Sequence, residues 1–180
     1  MQNDMNVEQP HSVWLCPEDT AYSDFQSIIN DIAQQQGTAP FAPHVTLLGD
    51  INGPPRETVA FCRQLFAQQT AAQAESRGLA ATNRFFMSLF VDLDLPSHVF
   101  ELRSSLASAL GLDAAEGFRP HLSLAYGLEG DEQTQHFART SPLVSQGKQF
   151  FLDSVVIAAS SSCLPISNWK TLYKIEIARD

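Results

Sequence analysis

A seven-residue pattern occurs twice in this chain, and it limits the possible folds more sharply than any bulk property does. Residues 41–47 read Phe-Ala-Pro-His-Val-Thr-Leu, and residues 118–124 read Phe-Arg-Pro-His-Leu-Ser-Leu. Phe, Pro, His and the final Leu are shared, and the others include an aliphatic exchange and a Thr/Ser exchange. The histidines lie 77 positions apart, from His44 to His121. That is too far for a solenoid period and suits two halves of one domain. The repeat therefore predicts two lobes related by a pseudo-two-fold, each supplying one such strand. Side chains two apart on a strand share a face. His44 and Thr46 then point one way, as do His121 and Ser123. Val45 with Leu47, and Leu122 with Leu124, point the other way into a core. Each lobe thus offers an imidazole and a hydroxyl to a common cleft.

Those side chains suit a particular chemistry. A neutral histidine takes a proton from water while a charged one protonates a leaving oxygen, both near neutral pH. Two hydroxyls can donate to phosphate oxygens whose charge grows in the transition state. The scheme asks for no metal and no cofactor. A zinc site wants three or four ligands, and His11, His98 and His136 stand at no ligand spacing from either motif. One histidine on an apolar strand is more often structural; the duplicated polar pair is what points to function.

Composition narrows the partners. The chain has 180 residues, with 20 acidic against 11 basic side chains and a formal charge of −9. Sequence-independent binding of long nucleic acid draws on Lys and Arg, so no long nucleic acid is expected. A small anionic substrate in a local pocket remains compatible with this balance. No stretch approaches the roughly 18 continuous apolar residues of a membrane helix, so no membrane partner is expected. The opening MQNDMNVEQPH has no basic segment followed by an apolar one. Cys16, Cys62 and Cys163 are odd in number and widely spaced, which fits a reducing compartment. A cytoplasmic monomer is the expectation.

Periodicity lays out the elements. Strands are predicted at 12–16, 44–48, 85–95, 120–126, 149–158 and 171–178. Helices are predicted over 20–36, from Pro55 onward, over 97–110 and, more weakly, near 131–139. Gly37 and Gly111 serve as helix stops. The acidic Glu129, Asp131 and Glu132 fit a loop and a helix N-terminus. This order gives an α+β class with two antiparallel-rich sheets and helices packed outside. Residues 1–10 are expected to be a loose N-terminus and residues 11–180 a single bilobal domain.

On the paired motifs, the sequence resembles the 2H phosphoesterase superfamily, and within it the cyclic phosphodiesterase branch. The likeness extends to the opening Ser-Val-Trp-Leu, the Phe85–Leu95 segment and a final strand–loop–strand with Asn168-Trp169. The resemblance implies metal-independent hydrolysis of a nucleoside 2′,3′-cyclic phosphate or ADP-ribose 1″,2″-cyclic phosphate to a monoester. It makes His44 and His121 the acid–base pair, in either order, and Thr46 and Ser123 phosphate ligands. Related branches open RNA-terminal cyclic phosphates or make 2′–5′ linkages. A non-catalytic nucleotide-binding module of the same fold is the other alternative.

Three aromatics match positions that the branch places near its cleft. Trp14 and Phe86 could stack a base, although core packing is the commoner use of a residue such as Phe86. Tyr126 could contact substrate or pack in the core. Strict alternation from His121 turns it away from the cleft unless the strand ends or bulges there. Met87 stands where the family often has Gln. Arg119 reads as a solvated side chain near the cleft mouth, and Trp169 as a packing residue.

Overall fold

The computed structural model describes residues 5–113, 117–128, 135–136, 138–139 and 141–179. Along the chain run β1 (His11–Pro17), α1 (Asp19–Gln36), β2 (Val45–Ile51), α2 (Pro55–Phe66) and β3 (Ala72–Ala81). Then come β4 (Leu89–Asp94), α3 (Ser97–Ala109), β5 (His121–Ala125), β6 (Gln149–Ala159) and β7 (Lys170–Glu176). A short 3-10 turn at Phe85–Met87 precedes β4, and another at Ile166–Asn168 precedes β7.

The strands join one sheet in the order β2-β1-β6-β3-β4-β5, with β7 also on β6, and their pairings are antiparallel. β6 is long enough to serve two neighbours along one edge. Gln149–Leu152 pairs with β3 and Ser154–Ala159 with β7, while β1 occupies the other edge. The sheet thereby divides into two lobes, β2-β1-β6-β7 and β3-β4-β5. The motif strands β2 and β5 end the strand order, and the sheet curls until they meet. The expected α+β bilobal class holds. Its two sheets form one hydrogen-bonded surface, because β6 spans both lobes.

Helices cover one face of this sheet. α1 buries Phe25, Ile28, Ile29 and Ile32, a helical stripe. It stops at Gly37, whose φ of 66° lets its N–H reach the Ala33 carbonyl. α1 packs on both β1 and β5, so one helix touches both lobes. α2 opens on Pro55, where a missing N–H costs no helical bond, and it packs against α3. No helix among the described residues is long and apolar enough to cross a membrane.

β1 is buried on both faces. Val13 and Leu15 join the main core, while Trp14 and Cys16 form a second, smaller cluster with Val156 and Ala158. Trp14, on that second face, looks into the cleft.

Two elements depart from expectation. β3 falls where no strand was predicted. Its sequence, AQAESRGLAA, is poor in β-branched and aromatic residues, so its strand propensity is low. Pairing with β4 and β6 overrides that preference, and Ala72, Ala74 and Ser76 alternate inward. The strand predicted over 85–95 begins only at Leu89. The helix expected near 131–139, with the acidic residues before it, lies largely outside the described residues. At the N-terminus, the Met5 carbonyl accepts from the Arg56 N–H at 3.1 Å, and the Gln9 N–H donates to the Gly53 carbonyl at 3.2 Å.

Candidate active site

His44 immediately precedes β2, and His121 is the first residue of β5. Each follows a proline, and each donates Nδ1–H to the carbonyl before that proline. His44 reaches Ala42 at 2.6 Å and His121 reaches Arg119 at 2.8 Å. A residue before proline is biased to extended backbone, which fixes where that carbonyl points. A carbonyl only accepts, so both imidazoles carry their proton on Nδ1 and keep Nε2 for the cleft. The sequence repeat is therefore also a repeat of hydrogen-bond geometry.

His44, Thr46, His121, Trp14, Phe86 and Tyr126 line one cleft of about 280 Å³. Six of the seven residues singled out in the sequence thus come together. Ser123 does not line it. It is 3% exposed, donates to the Phe86 carbonyl at 3.4 Å and bonds with the Tyr126 hydroxyl. It shares the His121 side of β5, as alternation requires, but the Phe85–Met87 turn lies over it. In the free protein it links the turn that carries Phe86 to Tyr126.

Burial tunes both histidines. His44 is 3% exposed, and the loss of solvation lowers its pKa from 6.5 to about 4. The Ala42 bond opposes this, while the charge of His121 adds to it. His121 is also lowered, chiefly by burial. The bond to the Arg119 carbonyl opposes that shift, the Arg119 guanidinium reinforces it, and Asp92 counters it. Both rings are neutral near pH 7 in the free protein. Each imidazolium would disfavour the other, so adding a proton to one makes the second harder to charge.

The aromatics divide their duties. Trp14 stacks on His44, ring centroids 3.9 Å apart and planes 16° off parallel, so one of its faces already supports the histidine. Phe86 sits in the 3-10 turn and faces Trp169, nearly parallel at 6.2 Å. Tyr126 stacks on Phe41 at 4.2 Å, and burial pushes its phenol pKa up. β5 ends at Ala125, and its pairing with β4 slips between Leu89–Ala125 and Phe90–Ser123. This irregularity and strand end bring Tyr126 to the cleft despite its odd spacing from His121.

Several lining residues were not foreseen. Trp169, expected as packing, lines the cleft with its buried Nε1–H unpartnered, as is the buried Ser160 hydroxyl. An unmet buried polar group costs about 1–3 kcal/mol, so this wall is suited to a polar ligand. Ser12, Asp50, Ser161 and Ser162 complete that side. The Ser12 hydroxyl donates to the Ser160 carbonyl at 3.1 Å, and an Asp50 carboxylate oxygen accepts the Ser162 N–H at 2.7 Å. The signals in the sequence were the serine run and the Gly49-Asp50 step, but nothing local says that they meet.

Arg119 is held outside the cleft by a two-pronged pair with Asp92, at 2.9 and 3.0 Å, over the Phe90 ring. No Lys or Arg lines the cleft among the described residues. Among those same residues, no three His, Cys, Asp or Glu side chains gather as a metal-binding group.

Comparisons with known proteins place this geometry. A family model described as cyclic phosphodiesterase-like protein matches residues 10–175. The structure of Escherichia coli LigT complexed with 3′-AMP is 16% identical with a TM-score of 0.61, covering 96% of this chain and 100% of that one. LigT in its apo form is 13% identical, with a TM-score of 0.60 and coverage of 96% and 99%. TT0787 of Thermus thermophilus is 15% identical, with a TM-score of 0.60 and coverage of 96% and 100%. At these identities the likeness establishes the fold. No curated protein matches the chain.

Proposed function

The chain belongs to the cyclic phosphodiesterase-like family, within the 2H phosphoesterase superfamily, and from that premise we propose that it hydrolyses a small cyclic phosphodiester to a phosphomonoester. A nucleoside 2′,3′-cyclic phosphate or ADP-ribose 1″,2″-cyclic phosphate is the substrate class. The observation that carries this reading is the matched pair of imidazoles on one cleft, each pinned through Nδ1–H with Nε2 left over.

The proton accounting closes with those two nitrogens. His44, the more deeply buried and the more strongly lowered, is neutral and serves as the base. Its Nε2 takes a proton from water as the water oxygen attacks phosphorus. His121, partly exposed beside Asp92, carries the proton that the leaving ester oxygen receives. One P–O bond forms and one breaks, giving a free hydroxyl and a monoester. The charge on the bound phosphodiester raises both histidine pKa values towards the working range. Thr46, two residues from His44 on the same side, donates to a phosphate oxygen. The scheme uses no metal. The binding of 3′-AMP by LigT, a protein of the same fold, is consistent with a nucleotide product here.

The test is turnover of 2′,3′-cyclic AMP and ADP-ribose 1″,2″-cyclic phosphate in excess EDTA, with His44→Ala and His121→Ala alongside. Each substitution should cost about a hundred-fold or more in kcat, the scale for a lost general acid or base, in a protein that stays folded by circular dichroism. Loss of wild-type activity to EDTA would overturn the metal-free mechanism. No turnover of either compound would overturn the small-substrate reading in favour of RNA ends or nucleotide binding.

A further inference from the structure

Asp50 is the one acidic side chain on the cleft wall among the described residues, and it is placed with some care. Its backbone is left-handed, φ 53°, the only non-glycine so among the described residues. Asp and Asn accept that conformation more readily than other side chains do. One carboxylate oxygen accepts the Ser162 N–H, tying the end of β2 to the loop after β6 across 112 positions of sequence. On the same wall the Ser160 hydroxyl, 2% exposed, lines the cleft with no partner. The same wall therefore carries an exposed carboxylate and a spare hydroxyl. No lining Lys or Arg offsets that charge.

Such a wall treats neutral and anionic groups differently. Ligand hydroxyls can donate to the carboxylate or accept from Ser160. A second phosphate meets repulsion from the carboxylate there. A further phosphate held inside this cleft of about 280 Å³ would lie within about one Debye length of Asp50, ~8–10 Å at ordinary salt. We propose that Asp50 is a specificity residue that, with Ser160, favours cyclic phosphodiesters bearing a single negative charge and a free hydroxyl over those carrying a second phosphate. This rests on the hydrolase reading above and narrows it. It favours nucleoside 2′,3′-cyclic phosphates over ADP-ribose 1″,2″-cyclic phosphate and phosphorylated RNA ends.

The experiment compares kcat/KM for 2′,3′-cyclic AMP and for its 5′-phosphorylated form, in wild type and Asp50→Asn, at about 20 mM and about 500 mM salt. Asn keeps an oxygen for the Ser162 N–H and tolerates the positive φ, so charge is what changes. The readout is the ratio between substrates, in which any loss common to both cancels. Wild type should prefer the unphosphorylated substrate by about tenfold at low salt, the scale of like-charge discrimination in a focusing cleft. Both the substitution and high salt should shrink that preference several-fold. A ratio unmoved by Asp50→Asn, or a wild-type preference for the phosphorylated form, would overturn the proposal. Calorimetric binding of 3′-AMP against adenosine 3′,5′-bisphosphate reads the same ratio without turnover. An inactive protein would therefore count against the hydrolase reading alone, while the binding ratio still decides the role of Asp50.

Discussion

The sequence x-Pro-His occurs at positions 9–11, 42–44 and 119–121, and each time Nδ1–H meets the carbonyl two residues back. What separates the three is the other ring nitrogen. His11 Nε2 is capped by the Thr58 hydroxyl at 2.7 Å inside the core, so His11 is a structural residue; the cleft histidines keep Nε2 unspent. All three have their pKa lowered by burial, and this has a consequence for stability. A histidine whose folded pKa lies below 6.5 binds its proton more readily in the unfolded chain. The stability it lends is full above pH 6.5 and is lost as pH falls towards the folded value, about 4 for His44. At pH 5, some 1.5 units below the unfolded pKa, His44 alone should have surrendered about 2 kcal/mol. The urea midpoint of the wild-type protein should therefore drop clearly between pH 7.5 and pH 5, a range mostly above carboxylate titration. In His44→Asn the drop should be visibly smaller. Equal midpoints at the two pH values would show that the buried imidazoles are not held neutral.

At the scale of elements, the cleft depends on how β5 ends. Gly127, with φ 68°, donates its N–H to the Phe85 carbonyl at 2.8 Å and so locks the strand end to the turn that carries Phe86. A Cβ there would fall 2.6 Å from Phe85 Cε2. The Phe85 ring is exposed and could swing aside, so the left-handed backbone sets the cost. Gly127→Ala should lower unfolding free energy by about 1–2 kcal/mol, measured by urea titration at pH 7.5; an unchanged midpoint would mean that the turn relaxes freely. The end of β5 also shows what was legible in advance. The alternation of His44 with Thr46, the stripe of α1 and the Pro55 start of α2 are local patterns, and the structure follows them. β3 carries no such pattern, since its Ala-rich segment becomes a strand only through partners far along the chain. Ser123 keeps the alternation but meets the 3-10 turn at Phe86, while the register slip and end of β5 bring Tyr126 to the cleft against it. Asp50 and Ser160 stand 110 positions apart in sequence, so no local reading could join them.

Over the whole molecule, the two lobes share more than the edge at which they join. The apolar core runs without a break from Leu15 and Ile157 in one lobe to Val91 and Leu122 in the other. α1 rests on strands of both. Neither lobe could open without exposing apolar surface at roughly 25 cal/mol per Å². Joint burial of this kind predicts that the lobes unfold as one cooperative unit, even though β3 meets β6 only over Gln149–Leu152 and Ala72–Glu75. Both tryptophans, Trp14 and Trp169, lie in the cleft, so their fluorescence follows the site while far-UV circular dichroism follows the whole backbone. The two signals should give coincident urea transitions with one midpoint, as for a two-state domain. Fluorescence that changes at lower urea than circular dichroism would mean that the cleft comes apart before the core. In that case the placement of His44 against His121 would depend on the contact between β2 and β5 alone, and not on the shared core beneath it.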